Sequence, residues 1–235
     1  MRKYRVAEIF SSINGEARRA GELATFVRFA GCNLNCTYCD TKWAMENVEA
    51  FAQLEKDTLL NIIKEKGIRN ITLTGGEPLI QLGIDELIID ILRDNYYRVE
   101  IETNGAVAIR PFKEHIRETA EAEGIIDIDD RLCFTIDYKC PCSGMDAMMC
   151  MDNYAAADAS DVVKFVVSDE ADLLRMKEIV EEYNLCSRST VYISPVFGGI
   201  EPKDIVDYML HNNLNDVRLQ LQLHKYIWDP DKRGV

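Results

Sequence analysis

No stretch of this chain approaches the roughly 20 consecutive apolar residues needed to cross a bilayer. The opening MRKYRVAEIF also lacks the apolar core of a secretory signal. The cytoplasm is therefore the expected location, with no membrane partner. Positive charge is scarce: 27 Lys and Arg stand against 40 Asp and Glu, a net charge of -13. Such a surface repels phosphate backbones, so direct nucleic-acid binding is not expected, although a small nucleobase-like substrate remains compatible with it. No Gly/Ser linker or low-complexity tract divides the sequence. Single cores stop growing only beyond roughly 250–300 residues, so 1–235 is expected to form one domain.

What is present is an alternation of strand and helix patterns. Short runs, mostly rich in β-branched residues, predict strands at Ala24–Phe29, Ile71–Thr74, Val99–Glu102, Cys133–Asp137, Asp161–Val167, Thr190–Ile193 and Val217–Leu221. Between several of them lie helix patterns. One carries Leu59, Leu60, Ile62 and Ile63, capped by Asp57 or Thr58 and stopped by Gly67; a second follows Gly83; a third opens at Asp169. The alternation predicts an α/β fold of parallel strands with right-handed crossovers, as an open or barrel-like sheet. Ligand chemistry in such folds gathers at the carboxyl ends of the strands.

Two unusual groups fall at those ends. Gly31-Cys32-Asn33-Leu34-Asn35-Cys36-Thr37-Tyr38-Cys39-Asp40 has the spacing C-x3-C-x2-C. Clustered cysteines in a reducing compartment are more often metal-binding or catalytic than disulfide-forming. Thiolates suit iron–sulfur clusters or zinc, but a structural zinc wants four protein ligands, and this loop holds no fourth Cys or His. Three ligands for four irons leave one iron open to a substrate or cosubstrate. The second group, Thr74-Gly75-Gly76-Glu77-Pro78, follows a predicted strand; its paired glycines let backbone approach a ligand closely. Taken alone it reads more readily as a strand-to-helix turn.

Together the cysteine loop and GGEP resemble the radical S-adenosylmethionine (SAM) superfamily. That resemblance implies a partial, open TIM-type barrel. It also implies a [4Fe–4S] cluster on Cys32, Cys36 and Cys39, whose open iron chelates SAM. Within the superfamily, EIFSSINGE, FVRFAGCNLNCTYCDT, TGGEP, IETNG, DYKCPCSGM, DVVKFVV and LQLHKYIW resemble the 7-carboxy-7-deazaguanine synthases of queuosine biosynthesis and tRNA modification. The resemblance implies a lyase that contracts 6-carboxy-5,6,7,8-tetrahydropterin to 7-carboxy-7-deazaguanine with loss of ammonia. It further implies Mg²⁺, a flavodoxin- or ferredoxin-type electron donor, and a homodimer.

Residue by residue, the resemblance places Tyr38, Cys39, Asp40, Gly76, Glu77, Asp137, Tyr138, Lys139, Ser194, Pro195, Val196 and Phe197 along SAM. It places Ile13, Asn14, Gly15, Glu16, Arg28, Thr74 and His224 around the pterin, and Thr41 on Mg²⁺. This chain departs from the family at Asn14, where Gln is usual, and at Ala17, where Gly is usual. Cys140, Cys142 and Cys150 are expected to be structural or surface thiols, and Cys133 and Cys186 core residues. The final residues, Asp231–Val235, have the composition of an ordinary polar terminus. Two rivals are a glycyl-radical-enzyme activase and a non-catalytic iron–sulfur or zinc module. The INGE segment, CDT and the QLHK tail argue against the first. GGEP, Glu16 and Arg28 stay unexplained by the second.

Overall fold

The structure, a computed structural model, describes residues 2–235. Its strands are β1 (Lys3–Ile13), β2 (Leu23–Phe29), β3 (Ala52–Glu55), β4 (Asn70–Gly75), β5 (Arg98–Thr103), β6 (Leu132–Lys139), β7 (Val162–Val167), β8 (Thr190–Pro195) and β9 (Val217–Leu219). Its helices are α1 (Lys56–Lys66), α2 (Ile84–Leu92), α3 (Arg110–Glu123), the short α4 (Ile128–Arg131) and α5 (Asp152–Ala156), α6 (Glu170–Glu182), α7 (Pro202–His211) and α8 (His224–Ile227).

All seven expected strands are present, with ends shifted by one or two residues. The sheet runs β3-β1-β2-β4-β5-β6-β7-β8-β9 and does not close into a barrel. From β2 onward along this order every pair is parallel, while β1 pairs antiparallel with both β2 and β3. β1 and β3 were not anticipated. Lys3, Arg5 and Glu8 interrupt the apolar pattern of the first, and the second is only four residues long at the sheet edge.

The period-2 alternation of strand side chains separates two faces. Ile71, Leu73, Val99, Ile101, Phe134, Ile136, Val163, Phe165, Val191 and Ile193 share one buried apolar cluster with Leu87, Ile88, Leu173, Met176 and Ile205 from the helices. The intervening residues are largely polar: Arg28, Thr72, Thr74, Glu100, Glu102, Thr135, Asp137, Lys139 and Lys164. Cross-strand bonds join them, Thr135 Oγ1 donating to Glu100 at 2.6 Å and Thr74 Oγ1 to Glu102 at 2.6 Å. Helix α1 begins at Lys56, one residue before the expected cap, and ends at Gly67 with φ of 66°. Asp169 caps α6 through Asp172 N at 3.0 Å, as expected. Among the described residues no helix is long and apolar enough to cross a membrane.

Candidate active site

The cysteine loop leaves β2 at the carboxyl end of the parallel strands, where backbone bonds weld it to the turn after β4. Gly76 N donates to Phe29 O at 3.0 Å and Glu77 N to Gly31 O at 2.9 Å. A Cβ at Gly76 would overlap Gly31 O, so the paired glycines are a steric requirement of this weld. Outside the loop, Thr37 N donates to Ser143 O at 3.1 Å and Thr37 Oγ1 to Cys142 O at 2.6 Å. The segment bearing Cys140 and Cys142 thus braces the cysteine loop. Cys140, Cys142 and Cys150 line no part of the cavity described next.

Cys32, Cys36 and Cys39 are free thiols facing one cavity of about 470 Å³. Burial pushes the Cys32 and Cys36 thiols up, and a cationic metal centre would favour their ionised form. Among the described residues no three Cys, His, Asp or Glu side chains converge closely enough to hold a single ion. A cubane cluster carries its own bridging sulfides and sets its thiolate ligands farther apart, which suits three thiols spread around a common space.

Beside the thiols stands a charged wall. Lys139 Nζ lies 2.6 Å from Asp137 Oδ2, and Lys164 Nζ lies 3.4 Å from both Asp137 Oδ1 and Glu16 Oε2. Burial opposes ionisation of Asp137, yet Lys139 and Lys164 more than offset it and hold its carboxyl below the usual carboxylate range. Burial likewise opposes the charge on both lysines, but Asp137, joined at Lys164 by Glu16, drives their pKa values above the usual lysine range. Glu16 Oε1 and Tyr38 Oη are buried with no partner. Buried polar atoms of this kind normally find one, so these two are free to meet a ligand. Also on the cavity lining, Arg28 Nε holds Glu8 Oε1 at 2.8 Å, with its guanidinium 5.9 Å from the Phe10 ring centre.

Of the pterin-side expectations, Ile13, Gly15, Glu16, Arg28, Thr74 and His224 line this cavity. Asn14 does not. It is 3% exposed, and its Oδ1 accepts from Thr72 Oγ1 at 2.8 Å. That bond turns the amide into the sheet. A side chain at Gly15 would strike the His224 ring, which explains the glycine there. Burial pushes the His224 imidazole down, with Glu16 opposing.

Among the SAM-side expectations, Tyr38, Asp40, Gly76, Asp137, Lys139, Val196 and Phe197 line the cavity, as does Thr41. The side chains of Glu77, Tyr138, Ser194 and Pro195 do not. Tyr138 alternates to the helix-covered face, where its ring centre is 5.5 Å from that of Phe165 and its hydroxyl accepts from Arg175 Nε at 2.9 Å. Ser194 is fully buried. Glu77, also fully buried, accepts from Leu79 N at 2.9 Å, Thr103 Oγ1 at 2.9 Å and Asn104 N at 2.7 Å. Burial pushes its pKa up to about 7 against those donors.

Glu8, Phe10, Phe26, Glu102, Asn104, Lys164, Gln222 and Lys225 also line the cavity, as do residues 230–235. The resemblance assigned a role to none of them, although Gln222 and Lys225 lie in the QLHK tail and Glu102 and Asn104 in IETNG. A lysine inside the apolar run DVVKFVV was the available signal for Lys164, since a charge is rarely buried unpaired. For the terminus there was none, because only the tertiary path brings it to the cavity. Beyond β9 the chain bonds back to the opening segment. Gln220 bridges Ala17 N (2.6 Å) and Ala17 O (3.0 Å), and Leu223 N donates to Gly15 O at 3.0 Å. Arg233 then stacks on Trp43 at 4.1 Å.

Residues 26–137 match the family model for the radical SAM superfamily. The 7-carboxy-7-deazaguanine synthase of Clostridium acetobutylicum is 48% identical over 232 residues, covering 99% of each chain. The enzyme of the same name from Chlorobaculum tepidum is 36% identical, over 98% of this chain and 96% of its own. Among solved structures, QueE from Escherichia coli superposes with a TM-score of 0.68 at 20% identity, over 93% of each chain, which supports the fold. The chain therefore belongs to the radical SAM superfamily and, within it, to the 7-carboxy-7-deazaguanine synthases.

Proposed function

We propose that this enzyme contracts 6-carboxy-5,6,7,8-tetrahydropterin to 7-carboxy-7-deazaguanine with loss of ammonia, in the cavity at the carboxyl ends of β2 and β4–β8. The observation that carries this reading is the cavity itself, whose lining brings three free thiols together with Glu16, Arg28, Thr74 and His224. When bound, the [4Fe–4S] cluster supplies the electron that cleaves SAM and so starts the radical rearrangement. The chain's own groups bind and orient. Glu16, with one oxygen free, accepts from the N–H edge of the pterin. Arg28, fixed by Glu8, presents a cation to an anionic or polar part of the substrate. Lys164 ties Glu16 to Asp137, coupling the pterin side of the cavity to the SAM side.

Asp137 and Lys139 face SAM, with Gly76 giving backbone access. Tyr138, Ser194 and Pro195 contribute through backbone alone, and Glu77 acts by fixing the turn. For Mg²⁺, Thr41 Oγ1 offers a hard oxygen on the cavity wall. Most of its coordination would come from water and substrate, as this ion accepts readily. A flavodoxin- or ferredoxin-type protein supplies electrons, and a homodimer is the expected assembly. The test is anaerobic turnover of the reconstituted, reduced enzyme with SAM, Mg²⁺ and the pterin. Formation of the deazaguanine acid supports the reading, whereas 5′-deoxyadenosine without that product refutes the substrate assignment.

A further inference from the structure

Asn104, directly after β5, is 7% exposed and is anchored at three points. Its backbone N donates to Glu77 Oε2 at 2.7 Å, and its side-chain Oδ1 accepts from Ala106 N at 2.9 Å. The second bond fixes which way the carboxamide faces: with the oxygen held by a backbone N–H, the NH₂ end must point the other way. There Nδ2 lies 2.8 Å from Asn33 Oδ1 and 3.4 Å from Cys32 Sγ. The same sulfur receives Leu34 N at 3.4 Å. Cys39 Sγ has only the Thr41 hydroxyl at 3.6 Å, which can act as either donor or acceptor.

We infer that Asn104 is a positioning residue for the iron–sulfur site and raises its reduction potential, by donating a side-chain hydrogen bond to the Cys32 sulfur. This rests on the reading of Cys32 as a cluster ligand. Reduction brings one electron from the low-potential donor and increases the negative charge on the thiolate sulfurs, with no bond made or broken. An N–H aimed at one of those sulfurs stabilises the reduced form more than the oxidised form. Glu77 thereby gains a role that its sequence motif did not suggest. It holds the backbone of the residue that holds the sulfur.

The test is an EPR-monitored redox titration of anaerobically reconstituted wild type, Asn104→Ala and Asn104→Asp, with iron counted in each. At a fixed solution potential, the ratio of reduced to oxidised cluster is expected to fall about fivefold in Asn104→Ala, the effect of one ordinary hydrogen bond. It should fall further in Asn104→Asp, where a carboxylate faces the sulfur. Full iron loading with an unchanged midpoint in Asn104→Ala overturns the inference. Should the variants fail to load iron, pulsed EPR of wild type labelled with ¹⁵N in the asparagine side chains decides. A ¹⁵N coupling to the reduced cluster supports the bond, and none overturns it. A wild type that yields no [4Fe–4S] signal removes the cluster reading itself, and this inference with it.

Discussion

Lys164 and Phe165 are neighbours in β7, both buried, and they serve opposite faces of one sheet. Phe165 packs with Tyr138 and the helices. Lys164 reaches into the cavity between Glu16 and Asp137. The same contrast recurs at Leu73 against Thr74 and at Ile101 against Glu102. Burial therefore means two different things here. On the helix-covered face it is apolar area removed from water, which stabilises the fold. On the cavity face it is desolvation of charges, which costs stability unless each charge is paired.

The division is tested most forcefully at that adjacent pair. Phe165→Ala is expected to cost about 3–5 kcal/mol of stability in urea unfolding, the usual range for a truncated core aromatic. A cost below about 1 kcal/mol would mean that the helix-covered face is not the core. Lys164→Met should lower kcat/KM by about 10²- to 10³-fold, as loss of a preorganised charge in a dry site does. It should destabilise the protein less than Phe165→Ala, because Lys139 still pairs with Asp137. Equal losses of stability at the two positions would erase the distinction.

Glu100 sharpens the comparison through pH. It is 3% exposed and accepts from Thr135 Oγ1 at 2.6 Å. Burial pushes its pKa up from 4.5 to about 7. Because the folded value lies above the unfolded one, the protonated carboxyl favours the folded state. That contribution is fully present below about 4.5 and is lost as pH climbs through about 7. Wild type should lose roughly 2–3 kcal/mol from this group between pH 5 and 8. Glu100→Gln should flatten that slope in urea midpoints taken across the range. An identical slope in the variant would place the charge cost elsewhere.

The smallest effect is expected at Ala17, which has φ of 64° with both backbone polar groups bonded to Gln220. A left-handed conformation costs a non-glycine residue about 1 kcal/mol. Ala17→Gly should therefore raise stability by up to about 1 kcal/mol and leave turnover unchanged. A clear loss of thermal stability would show that this backbone carries no strain.

Much of the helix-covered face was legible in the sequence, because parallel strands buried there read as apolar runs. Much of the cavity face was legible only through family resemblance, which named Glu16, Arg28 and Asp137. Lys164, Glu102 and Asn104 fall within DVVKFVV and IETNG, yet the resemblance gave none of the three a role. The side chains of Asn14 and Tyr138 stand off the cavity for a common reason. A motif position specifies a backbone place, while side-chain direction follows from the pleat and from the nearest partner, here Thr72 and Phe165. Residues 230–235 were unreadable as site residues because only the tertiary path, held by bonds from Gln220 and Leu223 to Ala17 and Gly15 some 200 residues earlier, brings them to the cavity.

The central claim is that three sulfurs leave one iron free for SAM. Mössbauer spectroscopy of protein reconstituted with ⁵⁷Fe, recorded before and after SAM is added, tests it most directly. The account predicts a [4Fe–4S] cluster in which one iron of the four changes its parameters when SAM binds. Four irons that are indifferent to SAM, or a centre of any other composition, would contradict it.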